Sequence, residues 1–166
     1  MGIRVGQSAN KTFKRHRKGV ARILNEKRIT MTVEGHHEAR DGLYDKFEGD
    51  AYELAKIHTG GLYGVPKRPF MRVIKDIFKT DEEIKKLIQR NMRYDKSERG
   101  WLVNYRSVCL GMERRAQEHM TTGFVQAQLP PLQADTVYKR NKAGYNSPLS
   151  LYASGQLVDC IVARAT

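Results

Sequence analysis

The chain of 166 residues is 40% hydrophobic and 29% charged, with a mean hydropathy of −0.62 and a formal charge of +12. This fits one domain with a highly charged exterior that buries roughly two thirds of its unfolded surface. No apolar run approaches the ~18 residues of a membrane span, and a charged stretch stands where a signal peptide needs its apolar region, so the expectation is a cytoplasmic, non-membrane protein.

Positive charge is concentrated at the N-terminus. Residues 1 to 28 carry nine basic residues and one acid, so +8 of the +12 lies there. Ser8 is placed to cap a helix running to Lys27, with Phe13, Val20 and Leu24 on one stripe and basic side chains over the rest. Gly19 weakens that helix by roughly 1 kcal/mol relative to alanine, so part of this arm is expected to order only against a partner. Lys11, Lys14, Arg15, Arg17, Lys18 and Arg22 are its candidate contacts with DNA or an acidic partner, since such a cluster holds phosphates by counterion release. A solvated helix face on a basic protein is the alternative, and composition leaves both open.

The stretch ITMTVEG, residues 29 to 35, alternates Ile29, Met31 and Val33 with Thr30, Thr32 and Glu34, the period of a half-buried strand. Residues 36 to 50 are polar, punctuated by Gly42 and Gly49, and read as a mobile loop. A short helix over DAYELAKIH follows. The turn-rich TGGLYGVPKRPF then places Pro69 at the first turn of the next helix. Phe70, Val73, Ile74, Ile77 and Phe78 make one apolar stripe from Pro69 to Lys79.

Thr80 and Glu83 have the spacing of a capping box, opening a helix with Ile84, Leu87, Ile88 and Met92 on one face and an end near Tyr94. From Ser97 to Thr121, Trp101, Tyr105, Val108, Met112 and Ala116 share a helical stripe, widened by Leu102 and Cys109 and closed by Gly123. QLPPLQ breaks the pattern. A short helix at Ala134 to Lys142 and a terminal strand from Leu157 to Ala163 complete the chain. No internal repeat or low-complexity tract is present.

Motifs that carry chemistry are missing. His36, His37 and Glu38 are adjacent, so their side chains diverge, and the reading is a solvated loop. Cys109 and Cys160 lack the paired spacing of a zinc site and read as reduced, buried thiols. The glycines of HTGGLYG fit neither a P-loop nor a dinucleotide fingerprint, and Ser154 before Gly155 lies in a turn rather than a nucleophile elbow. No cofactor is implied. Most aromatics lie on the helical stripes and read as core; Tyr138 and Tyr145, set among Lys139, Arg140 and Lys142, are the exception.

Two segments carry a family resemblance. ELAKIHTGGLYGVPKRPFMR, residues 53 to 72, resembles the segment E-(I/L)-A-x-I-H-E-F-G-…-I-P-x-R-P-F-(L/M)-R of bacteriophage tail-completion and neck proteins, the virion morphogenesis and minor tail-component families of long-tailed phages. Glu53, Ala55, Ile57, His58, Pro66, Arg68, Pro69, Phe70 and Arg72 match. PPLQADTVYKRNKAGYNSPLSLYASGQLVDCIVAR is similar to the family's P-L-x-x-x-T-x-x-x-K-…-P-L-x-x-T-G-Q-L-x-x-S-I-x-Y-x-V, through Pro131, Leu132, Thr136, Pro148, Leu149, Ser154, Gly155, Gln156, Leu157 and Ile161. Thr59 and Gly60 stand for the usual Glu-Phe, Ser154 for Thr, and residues 1 to 50 match no motif.

The resemblance implies a structural virion protein of the head-to-tail junction, assembled in the host cytoplasm. Its copies would form a ring, commonly hexameric, that meets other neck and tail proteins and lets DNA pass, and no catalytic residue, cofactor or metal comes with it. Within the matched positions, Arg68 is either a rigidly presented cation or a loop-packing residue, and Phe70 the first core anchor of its helix. The architecture expected is a basic arm over 1–28 and a single α+β domain over 29–166. A small, mostly antiparallel sheet, pairing 29–35 with 157–164, packs against three to four helices. The rival reading is a stand-alone basic nucleic-acid-binding protein; a metal-dependent nuclease is the weakest.

Overall fold

The computed structural model describes residues 28–39, 48–96, 100–145, 149, 151 and 155–166. The helix expected between Ser8 and Lys27 lies outside them. The rest is α+β, with helices joined by three separate two-stranded antiparallel sheets rather than one small sheet.

The period-two pattern at 29–35 forms strand β1, Ile29–Val33, which pairs antiparallel with β6, Ile161–Ala165, in the register Ile29↔Ala165 to Val33↔Ile161. Arg28 and Thr166 exchange both main-chain hydrogen bonds and extend the ladder to the last residue. Alternation puts Ile29, Met31 and Val33 on one face with Ile161, Ala163 and Ala165, and Val33, Ile161 and Ala163 are buried there. The terminal strand begins later than its composition suggests. Gln156–Asp159 forms a turn of helix, α7, after Gly155 at φ 89°. Leu157 and Val158 are consecutive and both buried, which a half-exposed strand does not allow but a helical turn does.

The expected loop at 36–50 is in part paired. Strands β2, His36–His37, and β3, Gly49–Asp50, form the second sheet, and residues 40–47 lie outside the described ones. His37 is buried and His36 exposed, so only one of the two histidines is solvated. Asp50 then caps helix α1, Ala51–Gly60, accepting from the Tyr52 N–H at 2.8 Å, and Gly61 closes it at φ 71°.

Helix α2, Phe70–Phe78, and helix α3, Glu82–Arg90, follow. The residue that caps α3 is Asp81, one position after the expected Thr80. Its carboxylate accepts from the Glu83 N–H at 2.9 Å, while Thr80 turns back to donate to the Ile77 carbonyl at 3.1 Å, and Glu83 pairs outward with Lys86.

The largest departure comes next. Met92–Asp95 and Gly100–Val103 are strands β4 and β5, paired as a ribbon, where the apolar spacing predicts the end of one helix and the start of another. Met92, Trp101 and Leu102 therefore leave the helical stripes. Helix α4, Tyr105–Thr121, starts only where the Asn104 side chain accepts from the Ser107 N–H. Gly123 does not close α4 but opens the short helix α5, Gly123–Ala127, because Thr122 is extended and ends α4 one residue earlier. Helix α6, Ala134–Lys142, has the expected bounds.

Helix α4 is the centre of the molecule. Ala116 and Met120 are fully buried among Phe70, Val73 and Ile74 of α2, Leu54 and Ala55 of α1, Val125 and Leu129, and Leu157 and Ile161 of the terminal segment. It runs antiparallel to α3, with Gly111 facing Leu87 so closely that a Cβ there would lie 2.5 Å from a Leu87 methyl. The missing side chain is what lets the two helices approach.

Candidate functional site

The two segments that carry the family resemblance are distant in sequence and meet in space. Arg68, 5% exposed, donates from Nε to the Pro130 carbonyl at 3.3 Å, from Nη1 to the Pro66 carbonyl at 3.4 Å and from Nη2 to the Pro131 carbonyl at 3.4 Å. Its main chain is held as well, the N–H donating to the His58 carbonyl at 2.7 Å. Arg68 is thus a packing residue, not a presented cation. Flanking prolines fix its backbone, and the planar guanidinium fork spans carbonyls on two loops. Burial pushes the guanidinium below its ordinary pKa.

Phe70, two residues on, is fully buried and shares the core with Leu157. Pro66 and Pro69 are half-buried around Arg68, whereas Arg72 and Pro131 are exposed and His58, Thr136, Leu149 and Gln156 half-buried. The Leu149 carbonyl accepts from Arg140 at 2.8 Å, and Gly155 is buried in its left-handed turn. Pro148, Ser154 and the arm cations Lys11, Lys14, Arg15, Arg17, Lys18 and Arg22 lie outside the described residues.

Main-chain hydrogen bonding leaves the terminal sheet asymmetric. The bonds at Arg28 and Glu34 set the alternation, so Thr30 and Thr32 point their N–H and C=O groups at β6, and Ile29 and Met31 point theirs outward. On the far side, the outward Ala163 N–H donates to the Glu113 carboxylate of α4 at 2.8 Å, so β6 is covered. No described residue pairs with the outer edge of β1. A strand edge without a strand partner is a template for a further strand. A second protruding feature is the loop after α1, where Leu62 is 49% and Tyr63 87% exposed, Tyr63 at φ 55°. Reading the glycines of GGLYG as turns locates this loop but not the apolar tip it presents.

The strongest electrostatic cluster is internal. Asp81 accepts from Arg115 Nε at 2.8 Å and from the His119 ring at 2.9 Å, clamping the start of α3 to the last turns of α4. Burial alone would raise the Asp81 pKa, but the hydrogen bonds from Arg115, His119 and the Glu83 N–H outweigh it and hold the carboxyl well below the usual range. Both cysteines are free; Cys109 is buried, Cys160 only half-buried, and burial pushes both thiols up, away from the reactive thiolate. Among the described residues no group of three or more His, Cys, Asp or Glu side chains is placed to hold a metal. Comparison with protein-family models, curated proteins and solved structures gives no match for the chain. The described residues thus show a locked junction at Arg68, a β1 edge with no strand partner among them and an apolar loop tip at Leu62 and Tyr63.

Proposed function

We propose that the chain is a structural virion protein of the head-to-tail junction of a long-tailed bacteriophage. In this reading it is a neck, tail-completion or tail-terminator component whose copies close into a ring, hexameric by the resemblance, that joins tail to head and lets DNA pass. The observation that carries the reading is the junction at Arg68. Arg68 of the first family-like segment holds the carbonyls of Pro130 and Pro131, which open the second, so the two segments are tied rather than scattered. The edge of β1 that no described strand pairs then gives each copy a place to receive a strand or loop from the next, with main-chain hydrogen bonds as the link. Other neck and tail proteins would meet the ring from above and below, and the basic arm would face lumenal DNA or an acidic neighbouring ring.

The test is the mass of the purified full-length chain in solution, read by native mass spectrometry and electron microscopy. Closed rings with weak affinity for free DNA are expected. A monomer that binds DNA tightly and with steep salt dependence would overturn the ring and favour the stand-alone nucleic-acid-binding protein, for which the charge of residues 1–28 is the supporting observation.

A further inference from the structure

The β4–β5 ribbon and the helix ends beside it gather exposed cations in one short stretch. Elsewhere on the described surface Lys56 pairs with Glu53, Lys79 with Asp76, Lys85 with Glu82, Lys86 with Glu83 and Arg164 with Glu34, while the exposed Arg28, Lys67, Arg72, Lys75, Arg114 and Lys142 are spread along the chain. From residue 90 to 106 the balance is different, with five cations (Arg90, Arg93, Lys96, Arg99, Arg106) against two acids (Asp95, Glu98). Arg90, Arg93, Lys96 and Arg106 are exposed, and none forms an ion pair or hydrogen bond through its side chain with a described residue.

The same ribbon carries aromatics. The bond from the Asn104 N–H to the Asn91 carbonyl sets the alternation, so Tyr94 and Trp101 fall at a non-hydrogen-bonded pair, where cross-strand side chains lie closest. Their rings meet edge to face, centroids 5.4 Å apart, with Tyr94 still 51% exposed. Beyond their own pairing the two strands make only slight contact with the rest of the fold.

We propose that this ribbon and the helix ends beside it form a nucleic-acid contact element: Arg90 at the end of α3, Arg93 and Lys96 of the ribbon and Arg106 at the start of α4 engage the phosphodiester backbone, and Tyr94, braced by Trp101, offers a face to a base. The occupant follows from charge complementarity, since exposed cations without an ion pair among the described residues, beside an exposed ring, suit a polyanion whose bases have stacking faces. A two-stranded β-ribbon is also narrow enough for the major groove of a duplex. The element is separate from the basic arm, and it holds a strand whether the chain works in a ring or alone.

The experiment measures binding of the full-length chain to a 20-nucleotide single strand and to the matching duplex across a salt series. The background carries Gln at Lys11, Lys14, Arg15, Arg17, Lys18 and Arg22, so that the arm does not mask the ribbon. On it, Arg90→Gln, Arg93→Gln and Arg106→Gln together should weaken binding at least tenfold and flatten the salt slope by about two to three, at 0.9 per duplex phosphate and 0.7 per single-strand phosphate. With Tyr94→Leu, a loss confined to the single strand is expected from base stacking, and an unchanged affinity for the single strand overturns the role given to Tyr94. Unchanged affinity and slope in the triple variant overturn the proposal. So does absence of binding in the arm-neutralised background, and so does a triple variant that alters self-association while leaving nucleic-acid binding intact.

Discussion

Two antiparallel strand pairs of nearly equal length meet different fates in this molecule. The β1–β6 pair joins residues more than 120 positions apart, with one face on the core and α4 covering its far edge through Glu113. The β4–β5 pair is local, joined across a few residues, and has slight contact with anything but itself. An isolated two-stranded ribbon is marginal in water, so the first pair is held by burial and the second by the helices at its two ends and its aromatic contact. The comparison teaches that strand pairing here says nothing about role: one pair closes the fold and the other is free to be a surface.

The sharpest way to break this contrast is to delete residues 157–166. That removes β6 and with it Leu157, Val158, Ile161 and Ala163 from the core, and loss of soluble folding is expected in expression and circular dichroism. A deletion variant that still folds and assembles would remove the distinction between the two pairs. Next in size, Phe70→Ala should cost about 3–5 kcal/mol and Ile161→Ala about 2–5 kcal/mol in denaturant unfolding, since both side chains are fully buried.

Asp81→Asn probes what holds the ribbon's supporting helices. It keeps an oxygen to cap α3 but removes the charge that faces Arg115 and His119, at a cost of about 1.5–3 kcal/mol at neutral pH. The sign with pH follows from the depressed carboxyl: its contribution is complete above about pH 4, the ordinary carboxylate range, and is lost as acid protonates the folded state below that. The gap in thermal midpoint between wild type and the variant should therefore narrow between pH 5 and strongly acidic conditions; a constant gap would contradict it.

Arg68→Ala should cost about 1–3 kcal/mol by leaving the carbonyls of Pro66, Pro130 and Pro131 without their donor. If the ring reading is right, it should loosen assembly as well as folding. The smallest effect belongs to the ribbon: Tyr94→Ala should change stability by about 0.5–1.5 kcal/mol, the worth of one aromatic pair. A much larger loss would show that the ribbon is part of the core after all.

Local pattern made much of the fold legible. The alternation at Ile29, Met31 and Val33, the stripe at Phe70 to Phe78, and the bounds of Ala134–Lys142 were readable because each is set by residues within one element. So was the pairing of the first and last strands. The ribbon was hidden because Trp101 and Tyr105 stand four apart and mimic a helix face; the signal that distinguishes it is MRYDKSERGWLV, in which the alternating Met92-Arg93-Tyr94-Asp95 and the apolar Trp101-Leu102-Val103 flank a polar stretch. Of the candidate site, Phe70 as a core anchor was legible, but the choice between the two roles of Arg68 was not, since it depends on carbonyls more than 60 positions away.

By itself the sequence determined where charge accumulates, which segments bury an apolar stripe and where most chain breaks fall, because these depend on neighbours in the chain. Only the tertiary structure decided that Arg68 turns inward, that Asp81 rather than Thr80 anchors α3 to α4, and that Met92–Asp95 and Gly100–Val103 leave the helices to form a ribbon. Each of these is settled by a partner far away in sequence, and a hydrogen bond or a buried face has no meaning until that partner is in place.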